Sequence, residues 1–160
     1  MVLVPKKDGT LRFCVEYRLL NAVSERDSYP LPRMDECIDS LGEAKVLSTL
    51  DCNARYWQVL IADGDREKTA FVCHKGAYHY KGMPFGLTNA PATFQRALDI
   101  ILSGVKWQSG LVYLDDVIVY SKTQREHVQH LDDILGLLRA AEVTLQLPKR
   151  RFFRTTVENV

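Results

Sequence analysis

Two kinds of hydrophobic periodicity alternate along the chain. Apolar residues three and four apart predict helices over 34–41, from Thr88 or Asn89 to Gly104, and over 124–141. Shorter apolar runs predict strands at 2–5, 11–16, 46–50, 57–61, 70–73, 78–81, 111–113, 117–120, 143–147 and 152–157, and we expect the last two to pair with each other. Residues 19–33 are predicted to be irregular. Because helices and hairpins follow one another irregularly, this order predicts an α+β fold with an antiparallel sheet.

The composition is that of an ordinary globular protein, with 160 residues, 46% hydrophobic and 26% charged. A net charge of +1 argues against a protein that binds nucleic acid through bulk positive charge. No apolar run approaches the roughly 18 residues that a membrane span needs, and the first residues do not form a signal peptide. The four cysteines contain no C-x-x-C pair, which argues against a zinc knuckle and predicts thiols, mostly buried, in a reducing compartment.

The sharpest chemical feature is a pair of adjacent carboxylates, Asp115 and Asp116, between two apolar strands. This turn has no glycine and carries like charges, so we expect a cation to offset the repulsion. Mg²⁺ suits such a pair, because it binds one or two carboxylates and leaves its other positions to water and phosphate oxygens. Asp51 ends the strand at 46–50; if the two strand ends are neighbours, three carboxylates converge where two metal ions could support phosphoryl transfer. The alternative is a solvated surface turn without metal.

Several collinear motifs span nearly the whole chain. They are Val4–Gly9, Arg12–Arg18, Leu20-Asn21, Tyr29–Arg33, Ser48–Asp51, Lys68–Phe71, Met83–Gln95 and Tyr113–Asp116. In this order they resemble the reverse transcriptase domain of gypsy-type LTR retrotransposon Pol polyproteins, and the last two are the most specific. The resemblance implies a polymerase palm, an antiparallel sheet backed by helices, with part of the fingers subdomain.

The resemblance also implies a domain division and an activity. Fingers are expected at about 1–45 and 64–82 and palm at about 46–63 and 83–160, with thumb, connection and RNase H domains absent here but present in the full-length polyprotein. The implied activity is RNA-directed DNA polymerisation, the transfer of nucleotides from dNTPs to a primer 3′-hydroxyl on an RNA or DNA template. It would use two Mg²⁺ ions, or Mn²⁺ in their place. The implied location is the cytoplasm or a virus-like particle, without secretion or membrane attachment.

By the same resemblance, individual residues receive roles. The implied catalytic carboxylates and metal ligands are Asp51, Asp115 and Asp116, with the backbone carbonyl of Cys52 as a further ligand. The implied nucleotide-binding residues are Lys6 (or Lys7 in its place), Arg12, Tyr56, Phe85 and Gly86. The implied primer contacts are Tyr113 and Leu114, and the implied proton donor to the leaving pyrophosphate is Lys149.

At two positions this chain has a long side chain where the family usually has glycine or another small residue. Arg55 precedes Tyr56, and we expect it to crowd the nucleotide pocket. Glu142 follows the last predicted helix, where a glycine usually turns the chain. These departures keep a second hypothesis open: a catalytically inactive palm-fold remnant of a degenerate retroelement, with at most weak nucleic-acid binding.

The remaining histidines and aromatic residues receive structural interpretations. His127 and His130 lie three apart on a predicted helix with no further ligands in view, so we expect a solvated face rather than a metal site. Trp57 is expected in the core. The basic run 149–151 before Phe152 and Phe153 predicts a charged edge over two buried aromatic rings rather than a nucleic-acid patch.

Overall fold

The computed structural model describes residues 2–5, 9, 11–114, 116–146, 148 and 150–155, without the side chains of Val2 and Arg12. Its elements are β1 Val2–Pro5, β2 Leu11–Cys14, α1 Arg18–Val23, α2 Met34–Leu41, β3 Val46–Asp51, β4 Phe71–Cys73, β5 Gly76–Tyr78, α3 Ala90–Ile101, β6 Gly110–Tyr113, β7 Asp116–Ser121, α4 Gln124–Ala140 and β8 Arg151–Arg154. Two 3₁₀ helices, Arg55–Gln58 and Asp63–Thr69, lie between β3 and β4. All strand pairs are antiparallel, and the predicted α+β class is confirmed.

The chain falls into two compact units, here called unit 1 and unit 2. Unit 1 comprises the described residues within 1–28 and 56–91, and unit 2 those within 29–55 and 92–160. These bounds differ from the division expected between fingers and palm. Residues 29–45 belong with the β3 sheet because α2 packs against it, and residues 56–63 pair with the segment around Gly82. The assignment of the units to fingers and palm stays a prediction.

A four-stranded sheet with the order β6-β7-β3-β8 organises unit 2. Neighbouring residues of a strand point to opposite faces, so Leu47 and Ser48 mark its two sides. Leu47 joins a buried cluster with Cys37 of α2, whereas Ser48 contacts His127 of α4. The sheet is therefore covered by α2 on one face and by α4 on the other. At Gly110 any Cβ would lie 2.9 Å from a side-chain carbon of Ile134, so α4 packs closely there.

His127 is fully buried, so the expectation of a solvated face is wrong for this residue. It shares one face of α4 with Leu131, Ile134 and Leu138, which are also buried. The ring nitrogens lie 2.7 Å from Ser48 Oγ and 2.9 Å from the Ser121 hydroxyl oxygen. The spacing of His127 from Leu131 and Ile134, four and seven residues along, was the signal that could have predicted this burial.

The ends of α4 follow standard capping patterns. Thr123 and Glu126 form a reciprocal capping box at the beginning. At the other end Glu142 has a φ of 58°, in the left-handed region. Its N–H donates to Arg139 O at 3.0 Å and the N–H of Val143 donates to Leu138 O at 2.9 Å, the Schellman arrangement. This conformation explains why glycine suits the position.

Several predicted strands are corrected by the structure. Residues 57–61 form no strand; a 3₁₀ turn and a single bridge between Leu60 and Gly82 stand there, and Trp57 is 38% exposed. Residues 152–157 do not pair with 143–147, because β8 pairs with β3 instead. Phe152 and Phe153 are 40% and 46% exposed, so the expected burial of both rings is wrong.

Unit 1 contains two hairpins, the helix α1 and the 3₁₀ helix Asp63–Thr69. β1 pairs with β2 and β4 pairs with β5, so both predicted hairpins are present. The strand predicted at 78–81 is wrong in its bounds: β5 begins at Gly76 because the turn consists of residues 74 and 75. The helix α1 was not predicted, because its apolar residues Leu19 and Val23 are 88% and 81% exposed and form no buried face. Within the described residues, no helix combines the length and the apolar character that crossing a bilayer requires.

Candidate active site

Three predicted site residues lie in one row across the sheet. Asp116 is the cross-strand partner of Tyr113 on β6 and of Asp51 on β3. Direct partners in an antiparallel pair share a face and have Cβ atoms about 4.5–5.5 Å apart. The structure thus brings Asp51 and Asp116 together at the ends of their strands. Asp115, which precedes Asp116, lies outside the described residues.

The row is chemically suited to a divalent cation. Asp51 and Asp116 are half-buried carboxylates directly opposite each other, an arrangement that destabilises a sheet unless positive charge offsets it. Carboxylate oxygens are the ligands that Mg²⁺ prefers. Among the residues described here, no group of three His, Cys, Asp or Glu side chains is placed to hold a metal. The two carboxylates therefore fit part of a ligand set, and the third predicted member is Asp115.

Cys52, the predicted carbonyl ligand, is buried and held in a fixed backbone position. It forms an isolated antiparallel bridge with Leu145. Two hydrogen bonds flank this bridge: the Asn53 N–H donates to Thr144 O at 2.9 Å, and the Gln146 N–H donates to Asp51 O at 2.8 Å. The residues after β3 are thus paired with 144–146 on one side, while Asp51 pairs with β7 on the other.

Two residues connect β6 to β7, and the described one, Leu114, lies in a turn. Asp116 is already the first residue of β7. Leu114 has a φ of 57°, which lies in the left-handed region. This conformation is costly for leucine because its Cβ approaches the following carbonyl oxygen, which glycine avoids. Its N–H donates a 2.7 Å hydrogen bond to Oε1 of Gln95, which is fully buried on α3.

Sequence reasoning gave Gln95 no role. It ends the specific run 83–95, but only Phe85 and Gly86 of that run received functions. The available signal was its position on the buried face of α3, three and seven residues before Leu98 and Leu102. A polar side chain on such a face needs a buried partner, and here the partner is the turn.

The described members of the predicted nucleotide-binding set lie in unit 1. The rings of Tyr56 and Phe85 are 5.2 Å apart and tilted by 59°. Gly86 has a φ of 96°, which favours glycine, and its carbonyl accepts a 2.8 Å bond from the side chain of Asn21. Asn21 Oδ1 also accepts from the Thr88 N–H at 2.9 Å, so this asparagine fixes the 86–88 segment.

The other predicted residues divide into two groups. Lys6, Lys7, Lys149 and the side chain of Arg12 lie outside the described residues. Arg55 is described: it and Ala54 both have left-handed backbone, with φ of 45° and 53°. This conformation favours glycine at position 55. That Arg55 crowds the nucleotide pocket stays a prediction.

Comparisons of the sequence with known proteins give a consistent result. The chain matches the family described as "Reverse transcriptase (RNA-dependent DNA polymerase)" over residues 4–160. It is 40% identical over 147 residues to the retrovirus-related Pol polyprotein from transposon gypsy of Drosophila melanogaster, covering 92% of this chain and 14% of that protein. It is 34% identical over 158 residues to the transposon Tf2-3 polyprotein of Schizosaccharomyces pombe, covering 99% and 12%. The chain thus spans 12–14% of the length of these relatives.

Solved structures show the same fold. A foamy viral protease-reverse transcriptase in complex with double-stranded DNA aligns with a TM-score of 0.89 and 26% identity, covering 97% of this chain and 27% of that one. The foamy viral protease-reverse transcriptase in complex with an RNA/DNA hybrid aligns with a TM-score of 0.84 and 25% identity, covering 94% and 20%.

Proposed function

This chain belongs to the reverse transcriptase (RNA-dependent DNA polymerase) family, and we propose that it carries the nucleotidyl-transfer site of a retrotransposon polymerase. The resemblance to gypsy-type elements is confirmed by the gypsy and Tf2 relatives. The observation that carries the proposal is the register that sets Asp51 opposite Asp116, two residues after Leu114. A sheet that places two carboxylates side by side at the ends of its strands suits the binding of a cation.

The substrates of the proposed reaction are dNTPs and the 3′-hydroxyl of a primer on an RNA or DNA template. Support comes from the solved relatives, which are complexes with double-stranded DNA and with an RNA/DNA hybrid. The other Pol domains are expected in the longer polyprotein, since the relatives are seven to eight times as long as the matched segment. We place this polyprotein in the cytoplasm or in a virus-like particle.

Reverse transcriptases generally depend on divalent metal ions. Two Mg²⁺ ions, or Mn²⁺, would be held by Asp51, Asp115 and Asp116 with the Cys52 carbonyl. When bound, they supply a Lewis acid that favours the attacking alkoxide and neutralises charge on the transferred phosphate. The protein's own part is to hold the carboxylates at fixed strand positions, so that little reorganisation accompanies the reaction.

The remaining residues are proposed to position the substrates. Lys6 (or Lys7) and Arg12 would hold the triphosphate, since lysine acts as a point charge and arginine binds phosphate with two parallel hydrogen bonds. The packed rings of Tyr56 and Phe85 would support the sugar, with Gly86 allowing close backbone approach.

The other end of the reaction involves the primer and the leaving group. Tyr113 and Leu114 would contact the primer end. Lys149 would donate a proton to the leaving pyrophosphate.

Primer extension on poly(rA)/oligo(dT) with Mg²⁺ tests the proposal. Asp51→Asn and Asp116→Asn should each lower incorporation at least about 100-fold, because an amide binds the cation far more weakly than a carboxylate does. Asp132→Asn is the matched control, since Asp132 is exposed on α4. Unchanged incorporation in Asp51→Asn would refute the assignment of this residue.

The alternative is the inactive remnant, which the reverse transcriptase relatives do not favour; its argument is the side chain of Arg55, which has left-handed backbone. The assay should therefore include the chain extended by the sequence that follows this segment in the gypsy relative. Absence of incorporation by both forms, with a native circular dichroism spectrum, would support the remnant. Activity that appears only in an Arg55→Gly version would show that this side chain blocks the pocket.

A further inference from the structure

The carboxamide of Gln95 binds the backbone at two points, one in β6 and one in the turn that follows it. Its Oε1 accepts from the N–H of Leu114 at 2.7 Å, and its Nε2 donates to Val112 O at 3.2 Å. Tyr113, the residue between them, pairs with Asp116. In a strand, backbone groups point alternately to the two sides, so Val112 O and the Leu114 N–H point away from β7.

These two groups lie on the outer edge of β6, which is a terminal strand of the sheet. An edge strand has a row of backbone donors and acceptors without a neighbouring strand to bind them. The Gln95 side chain supplies one acceptor and one donor at this edge, as a peptide group of a further strand would. The residue before Asp115 is thereby bonded to the core of unit 2 through its own backbone.

The orientation of the Gln95 amide is fixed by Asp99. Nε2 also donates to Asp99 Oδ1 at 3.0 Å, so a flipped amide would place an oxygen against two acceptors and an NH₂ against the Leu114 N–H. Asp99 is held in turn: its Oδ2 accepts from Tyr29 Oη at 2.9 Å and pairs with Lys106 Nζ at 2.7 Å. The hydrogen bond to Asp99, with partial burial, raises the pKa of Tyr29, which keeps its phenol protonated as a donor.

We propose that Gln95 is a positioning residue for the carboxylate-bearing turn. It holds the Leu114 peptide in its left-handed conformation and thereby fixes the backbone that leads into Asp115 and Asp116. Its effect on metal binding rests on the proposed function, whereas its hold on the Leu114 peptide does not. Gln95 is fully buried and acts through the turn.

Two measurements on the intact chain test this proposal. The first is hydrogen exchange of the Leu114 amide by NMR, relative to Val119 in the middle of β7. The second is Mn²⁺ affinity by EPR. The variant Gln95→Met keeps length and volume but removes both hydrogen-bonding functions. The matched control is Gln129→Met, because Gln129 makes the same i,i+4 bond, to Asp133 at 2.9 Å, on the exposed surface of α4.

We expect Gln95→Met to speed Leu114 exchange about tenfold relative to Val119 and to weaken Mn²⁺ binding several-fold, with both unchanged in Gln129→Met. Gln95→Glu separates positioning from packing. Glutamate keeps the acceptor for the Leu114 N–H but brings a negative charge beside Asp99. If Gln95 merely fills the core, the Leu114 amide should be better protected from exchange in Gln95→Met than in Gln95→Glu. If Gln95 positions the turn, the Leu114 amide should be better protected in Gln95→Glu.

The proposal is overturned if Gln95→Met leaves the exchange rate of the Leu114 amide, relative to that of Val119, as it is in the wild type. It is also overturned if the Leu114 amide is better protected in Gln95→Met than in Gln95→Glu. Should Gln95→Met not fold, Gln95→Asn applies the same test, because its amide is one methylene too short to reach both backbone groups. If the wild-type chain binds no Mn²⁺, the proposed function fails on that ground. The comparison of Leu114 amide exchange between Gln95→Met and Gln95→Glu still decides the role of Gln95.

Discussion

Unit 2 contains two buried polar clusters of different construction. The turn cluster comprises Gln95, Asp99, Tyr29 and Lys106, and the helix cluster comprises Ser48, Ser121, His127 and His130. The turn cluster includes an ion pair, in which the Asp99 and Lys106 side chains are 8% and 18% exposed. The helix cluster links α4 to β3 and β7 through hydroxyl and imidazole groups.

The two clusters also differ in what they hold. The turn cluster binds backbone groups, the Leu114 N–H and Val112 O, and so it fixes the path of the chain beside the carboxylates. The central bonds of the helix cluster join side chains only, so they fix the position of α4 on the sheet. The comparison indicates that the geometry of the candidate site depends on the turn cluster, while the pH dependence of the fold depends on the helix cluster.

The helix cluster is a chain of close contacts between side chains. Ser48 Oγ accepts from the Phe153 N–H at 3.2 Å and lies 2.7 Å from His127 Nε2. Nδ1 of His127 lies 2.9 Å from Ser121 Oγ, which lies 2.8 Å from Nδ1 of His130; that nitrogen also lies 3.3 Å from Tyr120 O. Burial lowers the pKa of His127, and the nearby His130 lowers it further.

The largest effect should follow from breaking the turn cluster. Gln95→Met leaves the Leu114 N–H, Val112 O and Asp99 Oδ1 each without a buried partner. We expect the free energy of unfolding to fall by about 2–4 kcal/mol, measured by urea denaturation. The exposed Gln129→Met should stay within about 0.5 kcal/mol of the wild type. If Gln95→Met lowered the free energy of unfolding by less than about 0.5 kcal/mol, the turn would not depend on this side chain.

Neither cluster could be derived from hydrophobic patterning, although the elements that carry them could. The predicted bounds of α2 and α4 match the structure closely, and the strand into Asp51 was predicted because apolar runs and helical spacing report burial directly. Patterning assigns polar residues to the surface by default. Gln95 and His127 break that rule, since each is buried with partners far away in sequence.

In the candidate site, too, local features could be predicted from the sequence and long-range pairing could not. The motif around Asp115-Asp116 and the strand ending at Asp51 were visible in the sequence, whereas the register that opposes Asp51 to Asp116 depends on a pairing 65 residues apart along the chain. The pairing of β8 with β3 was missed for the same reason, because sequence neighbours suggested a hairpin with 143–147.

The second prediction uses pH to separate the clusters. A histidine whose folded pKa lies below its unfolded value contributes stability that is fully present above the unfolded pKa, about 6.5, and is lost as pH falls through the folded pKa. The free energy of unfolding should therefore fall below pH 6.5, by at most about 1.4 kcal/mol per pH unit for one proton. Urea denaturation between pH 8 and 5 measures this slope.

Two variants are the controls for this slope. His127→Gln can still donate to one serine and accept from the other but does not titrate, so its acid slope should be smaller than that of the wild type. Gln95→Met should keep the wild-type slope, because the turn cluster contains no histidine. An equal slope in His127→Gln and the wild type would assign the acid sensitivity to another group.

The smallest effect concerns left-handed backbone, which Leu114 at the turn and Glu142 at the end of α4 both adopt. The peptide of Leu114 is held by a side chain from another element, whereas Glu142 is held by the carbonyls of its own helix. Glu142→Gly should therefore raise the free energy of unfolding by about 1 kcal/mol, because glycine relieves the left-handed backbone without loss of any bond described there. Glu142→Ala removes the same side chain but keeps the Cβ. In thermal or urea denaturation it should stay near the wild type, and an equal gain from alanine would attribute the effect to the glutamate charge rather than to the backbone.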